Sequence, residues 1–313
     1  MSIKRVQNKI AESRYTMPIT AVYATVVCIL GGMVENHWWL QFGCLAVSTF
    51  LMIGLNNTNA LIRIYSRMVS CSFMVLCCAT NLLFPSVEGG ITELCFIAFL
   101  LSFFHAYQDK SATIWVFYAF LCLGLSSLLF VQILYFVPIL WILLKFKIMA
   151  FSGKNFWASI LGLIIPYWFV GGYYVYTGQY QEHLEHFLTI ANLQPMCDLS
   201  LLSEHQIVSF SYVFILLLTG TIHFLRNSYK DKIRTRMLYE IFIIISLCDI
   251  AFLVLQPQHY DELMRILIIC TSPLIGHFLA LTRTKVTNIA FFAILLLSLL
   301  VTAYNLWVPS LIF

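Results

Sequence analysis

Residues 113–146 form one uninterrupted apolar run, TIWVFYAFLCLGLSSLLFVQILYFVPILWILLKF. A helix that crosses about 30 Å of hydrocarbon needs about 20 mainly apolar residues, at a rise of about 1.5 Å per residue. The run is therefore too long for one crossing, and Ser126, Ser127 and Gln132 predict a tight turn within it. Because its apolar residues are continuous and do not alternate with polar ones, the pattern favours helices over a membrane β-barrel.

The whole chain has a composition that agrees with this run. Of its 313 residues, 61% are hydrophobic and only 10% are charged, whereas soluble domains carry about 25% charged residues. So few charges cannot cover the surface of a water-soluble domain. The composition also excludes a disordered chain, a nucleic-acid-binding module and a disulfide-rich secreted domain. The sequence predicts an all-α polytopic membrane protein whose main partner is the lipid bilayer, with no nucleic acid.

Eleven segments have the length and composition of a transmembrane helix. They are residues 18–34, 38–55, 67–84, 91–108, 113–129, 131–146, 155–177, 207–226, 237–255, 262–282 and 288–308. Lys and Arg accumulate on the cytoplasmic side of membrane proteins. With eleven spans and a cytoplasmic N-terminus, 17 of the 18 basic residues fall on that side. Since one span more or fewer would scramble this partition, the C-terminus is predicted to lie outside.

The predicted organisation is a single membrane domain, residues 18–313, after a short N-terminal segment. Residues 1–17 carry Ile3, Val6 and Ile10 on one side and basic residues on the other, which favours a cytoplasmic amphipathic helix on the membrane surface. A simple positive anchor for the first span explains this segment equally well. The apolar stretch that follows is longer than the core of a signal peptide and has no small-x-small cleavage site. Residues 178–206 form the one sizeable outer loop.

Several membrane chemistries need residues that this sequence lacks. Every lysine falls at or beyond the predicted cytoplasmic interface, which excludes a retinal Schiff base within a span. A glycine-rich phosphate loop followed by Lys and Ser or Thr is absent, and so is a His-Glu-x-x-His zinc helix. Nine of the ten cysteines fall within spans, where cysteine behaves as a small hydrophobic residue. We therefore expect no cofactor.

Two charged residues are exceptions to the partition of charges. Asp249 lies inside the ninth predicted span, and Arg265 is the one basic residue on the predicted outer side. A charge within a span costs about 3 kcal/mol unless it is paired or hydrated. Both residues lie about 12 Å along their helices from Pro257, at a depth where they could pair. Two interpretations stay open: a buried ion pair that fixes helix register, and a substrate site where Arg265 receives a lipid phosphate and Asp249 orients it.

Glu35 and three histidines supply further candidates near the outer surface. Glu35 follows the first span beside His37, and a carboxylate there could act as a general base towards a lipid-borne substrate. An ordinary acidic loop with interfacial tryptophans explains these residues as well. In the outer loop, His183 and His186 would share one face of a helix. Two ligands are too few to specify a metal, so a solvated loop helix is the alternative and no metal is predicted.

The order of short segments between residues 55 and 180 carries a resemblance. Four segments follow one another in this order: a polar and basic inner loop at Asn59–Arg63, an outer turn at Phe84–Ser86, an inner segment at His105–Lys110, and an aromatic span with Phe156-Trp157 and Pro166-Tyr167. This layout resembles an uncharacterised family of polytopic inner-membrane proteins of Bacteroidota. The resemblance implies a multi-pass protein of the bacterial inner membrane. That family's association with polyprenol-phosphate sugar synthesis implies a place in envelope glycan assembly.

The leading hypothesis is a protein that handles a polyprenyl-phosphate-linked sugar at the outer face of the inner membrane. Its broad plan is similar to the GT-C class of glycosyltransferases, which implies Arg265 at the lipid phosphate, Glu35 as the base and loop 178–206 at the acceptor site. That class has a long first outer loop carrying the acid, whereas here the loop has about three residues. Whether the protein is an enzyme stays open. The alternatives are a non-catalytic subunit that scaffolds an envelope or secretion complex with other envelope-assembly proteins, and a small-molecule or lipid transporter.

Overall fold

The computed structural model describes residues 5–178 and 201–307, and this part of the chain consists of helices and short connections, without β-strands. The α-helices are α1 Val6–Glu12, α2 Thr16–Leu30, α3 Trp39–Asn59, α4 Met68–Ala79, α5 Val87–His105, α6 Thr113–Ser127, α7 Val137–Phe146, α8 Gly153–Thr177, α9 Glu204–Asn227, α10 Ile233–Leu255, α11 Tyr260–Leu281 and α12 Lys285–Trp307. Short 3-10 helices lie at Asn81–Leu83, Val131–Phe136, Ser228–Lys230 and Pro257–His259. Each of the eleven predicted segments overlaps one of α2–α12, although α4 and α7 have only 12 and 10 residues.

The described part of the chain has the fold of a multi-pass helical membrane protein. Seven of its helices are long and apolar enough to cross a membrane, and α1 with α2, bent by 88° between them, gives an eighth candidate. Three apolar helical segments are shorter, namely Met68–Ala79, Thr113–Ser127 and Val131–Phe146. The long run 113–146 therefore breaks after Ser127, at the serines where the sequence predicted a turn.

Helix α1 closes one end of α11. The side-chain amide of Gln7 donates to the backbone oxygen of Leu279 and to Thr282 Oγ1, both at 2.7 Å. Asn8 Nδ2 donates to the backbone oxygen of Thr282 at 2.9 Å. The last carbonyls of a helix have no partner within that helix. The polar face of α1 therefore caps α11, in addition to any contact of this segment with lipid.

The connections between the long helices gather at two ends of the bundle. At the basic end, which contains the connections 60–67, 147–152 and 228–232, Arg63 lies 3.7 Å from Asp231 and Lys147 pairs with Glu240. The acidic end contains the connections 31–38, 80–86 and 256–259. Helix α2 begins at the basic end and α12 finishes at the acidic end, so Thr16 and Trp307 lie at opposite ends of the bundle.

Helix α11 is the centre of the fold. It packs against α4, α5, α9 and α10, and every residue from Leu263 to Ala280 is buried. A helix that is buried on all sides is typical of the interior of a large bundle. Helix α6 packs on the outside of α5, and α8 packs on α6. The helix with the fewest exposed residues therefore sets the positions of the others.

Glycines allow two pairs of helices to approach closely. A Cβ on Gly220 of α9 would lie 2.7 Å from the carbonyl carbon of Leu274 in α11. A Cβ on Gly162 of α8 would lie 2.7 Å from the backbone oxygen of Phe117 in α6. Small residues at such positions let helices in membranes pack backbone against backbone. Because the opposing atoms are backbone atoms, they cannot move aside as the end of a side chain could.

Gly220→Ala is expected to lower the free energy of unfolding by about 1–3 kcal/mol through overpacking. Gly172 of α8 is the matched control, since a Cβ there would meet nothing within 4 Å. Gly172→Ala should be neutral or stabilising by up to about 1 kcal/mol. Thermal unfolding of the purified protein in mild detergent measures both variants. Equal stability of the two would contradict the close contact between α9 and α11.

Candidate functional site: a cavity at the acidic end

A cavity of about 700 Å³ lies at the acidic end of the bundle. Its wall includes the connections 31–38 and 80–86, the last turns of α2, α4 and α12, and residues within the first three turns of α3, α5 and α11. Glu35, Glu93 and Arg265 line it together, and so do the amide side chains of Asn36, Gln41, Asn81 and Asn305. Small-molecule sites in proteins measure about 300–1,000 Å³. This cavity is therefore large enough for a small molecule or the head group of a lipid.

A buried ion pair forms part of the cavity wall. Arg265, on the second turn of α11, donates from Nη1 to Glu93 Oε2 at 2.8 Å. Its Nη2 donates to the backbone oxygen of Leu83 in the connection 80–86. Glu93 lies on the second turn of α5, and both side chains are buried. The pair thus joins α11 to α5 and to the preceding connection.

Gly89 makes room for the guanidinium of Arg265. A Cβ at position 89 would lie 2.5 Å from Nε and 3.1 Å from Cζ of Arg265. The buried Nε has no hydrogen-bond partner among the described residues. A guanidinium carries five N–H donors, and Glu93 and Leu83 do not use all of them. Arg265 lines the cavity, and the donors left for a ligand there are the remaining hydrogens of Nη1 and Nη2, since Nε is buried against Gly89.

The pair of Arg265 with Asp249 that the sequence suggested is wrong. Asp249 is fully buried on α10 beside Cys270, and neither carboxylate oxygen has a hydrogen-bond partner within the described residues. Equal distance from Pro257 fixes depth only, whereas rotation about each helix axis decides which neighbour a side chain faces. That rotation directs Arg265 to α5. Asp249 does not line the cavity, so an orienting role for it towards a phosphate lacks the expected contact.

Glu35 and His37 lie in the connection 31–38. Glu35 is exposed and lines the cavity, whereas His37 is exposed, has a backbone φ of 57° and does not line it. The next residue, Trp38, does line the cavity, and its ring meets Phe84 edge to face with centroids 6.0 Å apart. Trp39 lies outside the cavity and is 56% exposed. The two adjacent tryptophans therefore have different surroundings.

Most of the outer loop 178–206 lies outside the described residues, and so do His183 and His186, whose roles stay predictions. Near the end of this loop, His205 Nδ1 lies 3.1 Å from Asn305 Oδ1. Within residues 5–178 and 201–307, no group of three or more His, Cys, Asp or Glu side chains is placed to hold a metal ion.

Asn305 connects three helices at the cavity. Its Nδ2 donates to the backbone oxygen of Ala79 at 2.6 Å and to Ser209 Oγ at 2.9 Å. These bonds join α12 to the end of α4 and to α9. Because the side-chain amide is held by several partners, it presents a fixed polar group to the cavity.

Sequence reasoning missed Glu93 as a site residue. Glu93 falls within the predicted span 91–108. An acid inside a span needs a partner, and this requirement was the signal that could have identified it. A second missed cluster lies at the basic end, where His277 Nε2 is 3.0 Å from Asp231 Oδ2 and His277 Nδ1 is 3.4 Å from His223 Nδ1.

The fold and the cavity define a class: a multi-pass helical membrane protein with a polar cavity beside a buried ion pair. No protein-family model, curated protein or solved structure matches the chain.

Glu93→Leu is expected to lower the free energy of unfolding by about 3–5 kcal/mol, because it leaves the charge of Arg265 buried without a counter-charge. Glu88→Leu is the control, since Glu88 is exposed on the first turn of the same helix, and it should change stability by less than about 0.5 kcal/mol. The double variant Glu93→Leu/Arg265→Leu should lose less than Glu93→Leu alone. Denaturant unfolding measures all variants, and a loss in the double variant equal to the sum of the losses in Glu93→Leu and Arg265→Leu would argue against the pair.

Asp249→Val is expected to raise the free energy of unfolding by about 1–3 kcal/mol, because it removes a buried polar group that has no partner among the described residues. Asp249→Asn keeps a polar group of the same shape and should give no such gain. The same unfolding measurement compares the two variants. A destabilised Asp249→Val protein beside an unchanged Asp249→Asn protein would refute this account of Asp249.

Proposed function

We propose that the cavity at the acidic end binds the head group of a polyprenyl-phosphate-linked sugar at the outer face of the bacterial inner membrane. The observation that carries the proposal is the set of groups in one cavity: Glu35, Glu93, Arg265 and four amide side chains, with Trp38 beside them. A sugar hydroxyl both donates and accepts hydrogen bonds, so it matches carboxylate acceptors mixed with amide and guanidinium donors. Trp38 offers an apolar ring face with a polar N–H for the C–H face of a sugar.

The charges that line the cavity favour a neutral polyhydroxylated group over a free anion. Glu35, Glu93 and Arg265 together carry one net negative charge when all are ionised. The charge of Arg265 is compensated by Glu93 at 2.8 Å, which weakens its attraction for a phosphate. In this proposal the remaining donors of Arg265 bind sugar oxygens, and the lipid phosphate lies nearer the mouth of the cavity.

In the same proposal all of α2–α12 cross the membrane, with the N-terminus in the cytoplasm and the C-terminus outside. Arg63, Lys147 and Lys230 gather at the basic end, as the positive-inside rule requires of a cytoplasmic side. The shorter spans are extended by 3-10 helices, so residues 68–83 and 131–146 are helical over most of their length. Sixteen helical residues measure about 24 Å, a mismatch that local thinning of the bilayer accommodates.

The proposal extends to transfer of the sugar. An acceptor hydroxyl attacks the anomeric carbon, the bond from that carbon to the phosphate oxygen breaks, and polyprenyl phosphate leaves. Glu35, at the exposed part of the cavity wall, accepts the proton of the hydroxyl as general base. Its place between water and the cavity suits an acceptor that arrives from outside the membrane.

Trp38→Ala is expected to weaken binding of a polyprenyl-phosphate-linked glucose about tenfold, since it removes an aromatic surface from the cavity. Trp39→Ala is the matched control, because the neighbouring ring lies outside the cavity, and it should leave affinity unchanged. Native mass spectrometry of the purified protein with the lipid measures both. Equal affinities of the two variants would contradict a head-group site at Trp38.

The transfer step is tested by complementing a deletion strain. Glu35→Gln should abolish the envelope glycan that the wild-type gene restores, whereas Glu204→Gln, at an exposed glutamate outside the cavity, should restore it. If the protein binds the lipid and the Glu35→Gln variant still restores the glycan, the head-group site stands but Glu35 is not the base. Normal results for both Trp38→Ala and Glu35→Gln would favour the non-catalytic scaffold.

A further inference from the structure

A second cavity of about 330 Å³ lies nearer the basic end, along the same helices as the first. We call it the apolar groove, and α2, α4, α11 and α12 contribute residues to both cavities. We call the cavity at the acidic end the upper cavity. On α11, Ile268 lines the upper cavity and Ile275 lines the groove. On α12, Asn305 lines the upper cavity and Ser298 lines the groove. Each pair is seven residues apart, or about 10 Å along α11 and α12, whereas on α4 neighbouring residues line the two spaces.

The groove offers hydrocarbon surface to a ligand. Ile19, Leu76, Ile275, Phe291 and Leu295 line it. Most hydroxyl groups in its wall have partners within the protein: Thr20 Oγ1 donates to the backbone oxygen of Thr16 at 3.1 Å, and Tyr212 and Ser298 bond to each other. The buried hydroxyl of Ser72 is the exception. A polar head group would find few free partners there, whereas a hydrocarbon chain needs none.

The two cavities are separated by a seam, where α2 meets α4 and α12. Ala24, Val27, Met74 and Cys78 form a small apolar cluster between α2 and α4 that is separate from the main core. The hydroxyl groups of Tyr23 and Thr302, 2.8 Å apart, connect α2 to α12 at the same level. Parting this seam requires the cluster, this hydrogen bond and two hydroxyl–sulfur contacts between α2 and α4 to open, and the core around α11 stays intact.

We infer that the apolar groove holds the far part of the hydrocarbon chain of the lipid whose head group occupies the upper cavity, so that the protein selects lipids by chain length. This inference rests on the proposed function. From Arg265 to Leu279 on α11, and from Gly31 to Ile19 on α2, the chain would follow about 18–21 Å of helix. One leaflet supplies about 15 Å of hydrocarbon, half of the bilayer core. The near edge of the groove, at Ile275, lies about 15 Å from Arg265 along α11, so an ordinary phospholipid chain from the outer leaflet ends there, whereas a long isoprenoid chain extends through the groove.

The test compares two probes with the same head group: citronellyl-phosphate-glucose, which has a short chain, and undecaprenyl-phosphate-glucose, which has a long one. Wild-type protein should bind the long-chain probe at least about tenfold more tightly, because added buried methylene groups each contribute to affinity. Ile19→Trp fills the groove and should weaken binding of the long-chain probe about tenfold while leaving the short-chain probe unchanged. Val22→Trp is the matched control, because Ile19 and Val22 are 66% and 65% exposed and only Ile19 lines the groove.

Leu295→Trp repeats the test from α12, with Leu296→Trp as its control outside the groove. Equal affinity of the wild type for both probes would overturn the inference, as would an equal effect of Ile19→Trp and Val22→Trp. In either case the proposed function stands if Trp38→Ala weakens binding of both probes. If Trp38→Ala weakens neither probe, the head-group site itself is refuted, independently of the result at Ile19.

Discussion

The buried ion pair between Arg265 and Glu93 is the constraint on which the rest of the structure depends. An ion in the interior costs several kcal/mol unless a partner and further hydrogen bonds compensate it. Arg265 obtains that compensation from Glu93 and from the backbone oxygen of Leu83, so α5, α11 and the connection 80–86 have to meet at one level. Gly89 has to lack a side chain for the same reason. The pair that fixes these elements is also part of the cavity wall, which gives the cavity a rigid side.

Helix α11 is held by buried polar contacts at both of its ends. Arg265 holds it near the acidic end, and His277, twelve residues or about 18 Å further along, contacts Asp231 and His223 near the basic end. The residues between them are almost all apolar. Hydrophobic burial has no direction, so it can place α11 at the centre but cannot decide its register. These polar contacts, together with the cap that α1 places on α11, supply that register, and the surrounding helices pack accordingly.

The sequence predicted the helices better than it predicted the contacts between their side chains. Length and composition were sufficient for the helices, and the serines at 126 and 127 predicted the break in the run 113–146 because a continuous span of that length would exceed the bilayer. The partner of Arg265 could not be found in this way. A helix that is apolar on all sides has no hydrophobic face, so its sequence does not show which residue turns towards which neighbour. Depth along a helix can be counted from a turn, whereas rotation about its axis depends on packing that one sequence does not record.

The positions of the two cavities favour a lipid over a solute that crosses the membrane. Helix α11 fills the centre of the described bundle with buried side chains, whereas both cavities lie towards its edge, beneath α2 and α12. The buried residues of α12, including Phe291, Ser298 and Asn305, repeat every seven positions and form one stripe, so the opposite face is left for the bilayer. A transported solute would need a path along the centre. A lipid needs only lateral access, with its head group at the acidic end and its chain along the helices, and the order of a polar cavity above an apolar groove matches that arrangement.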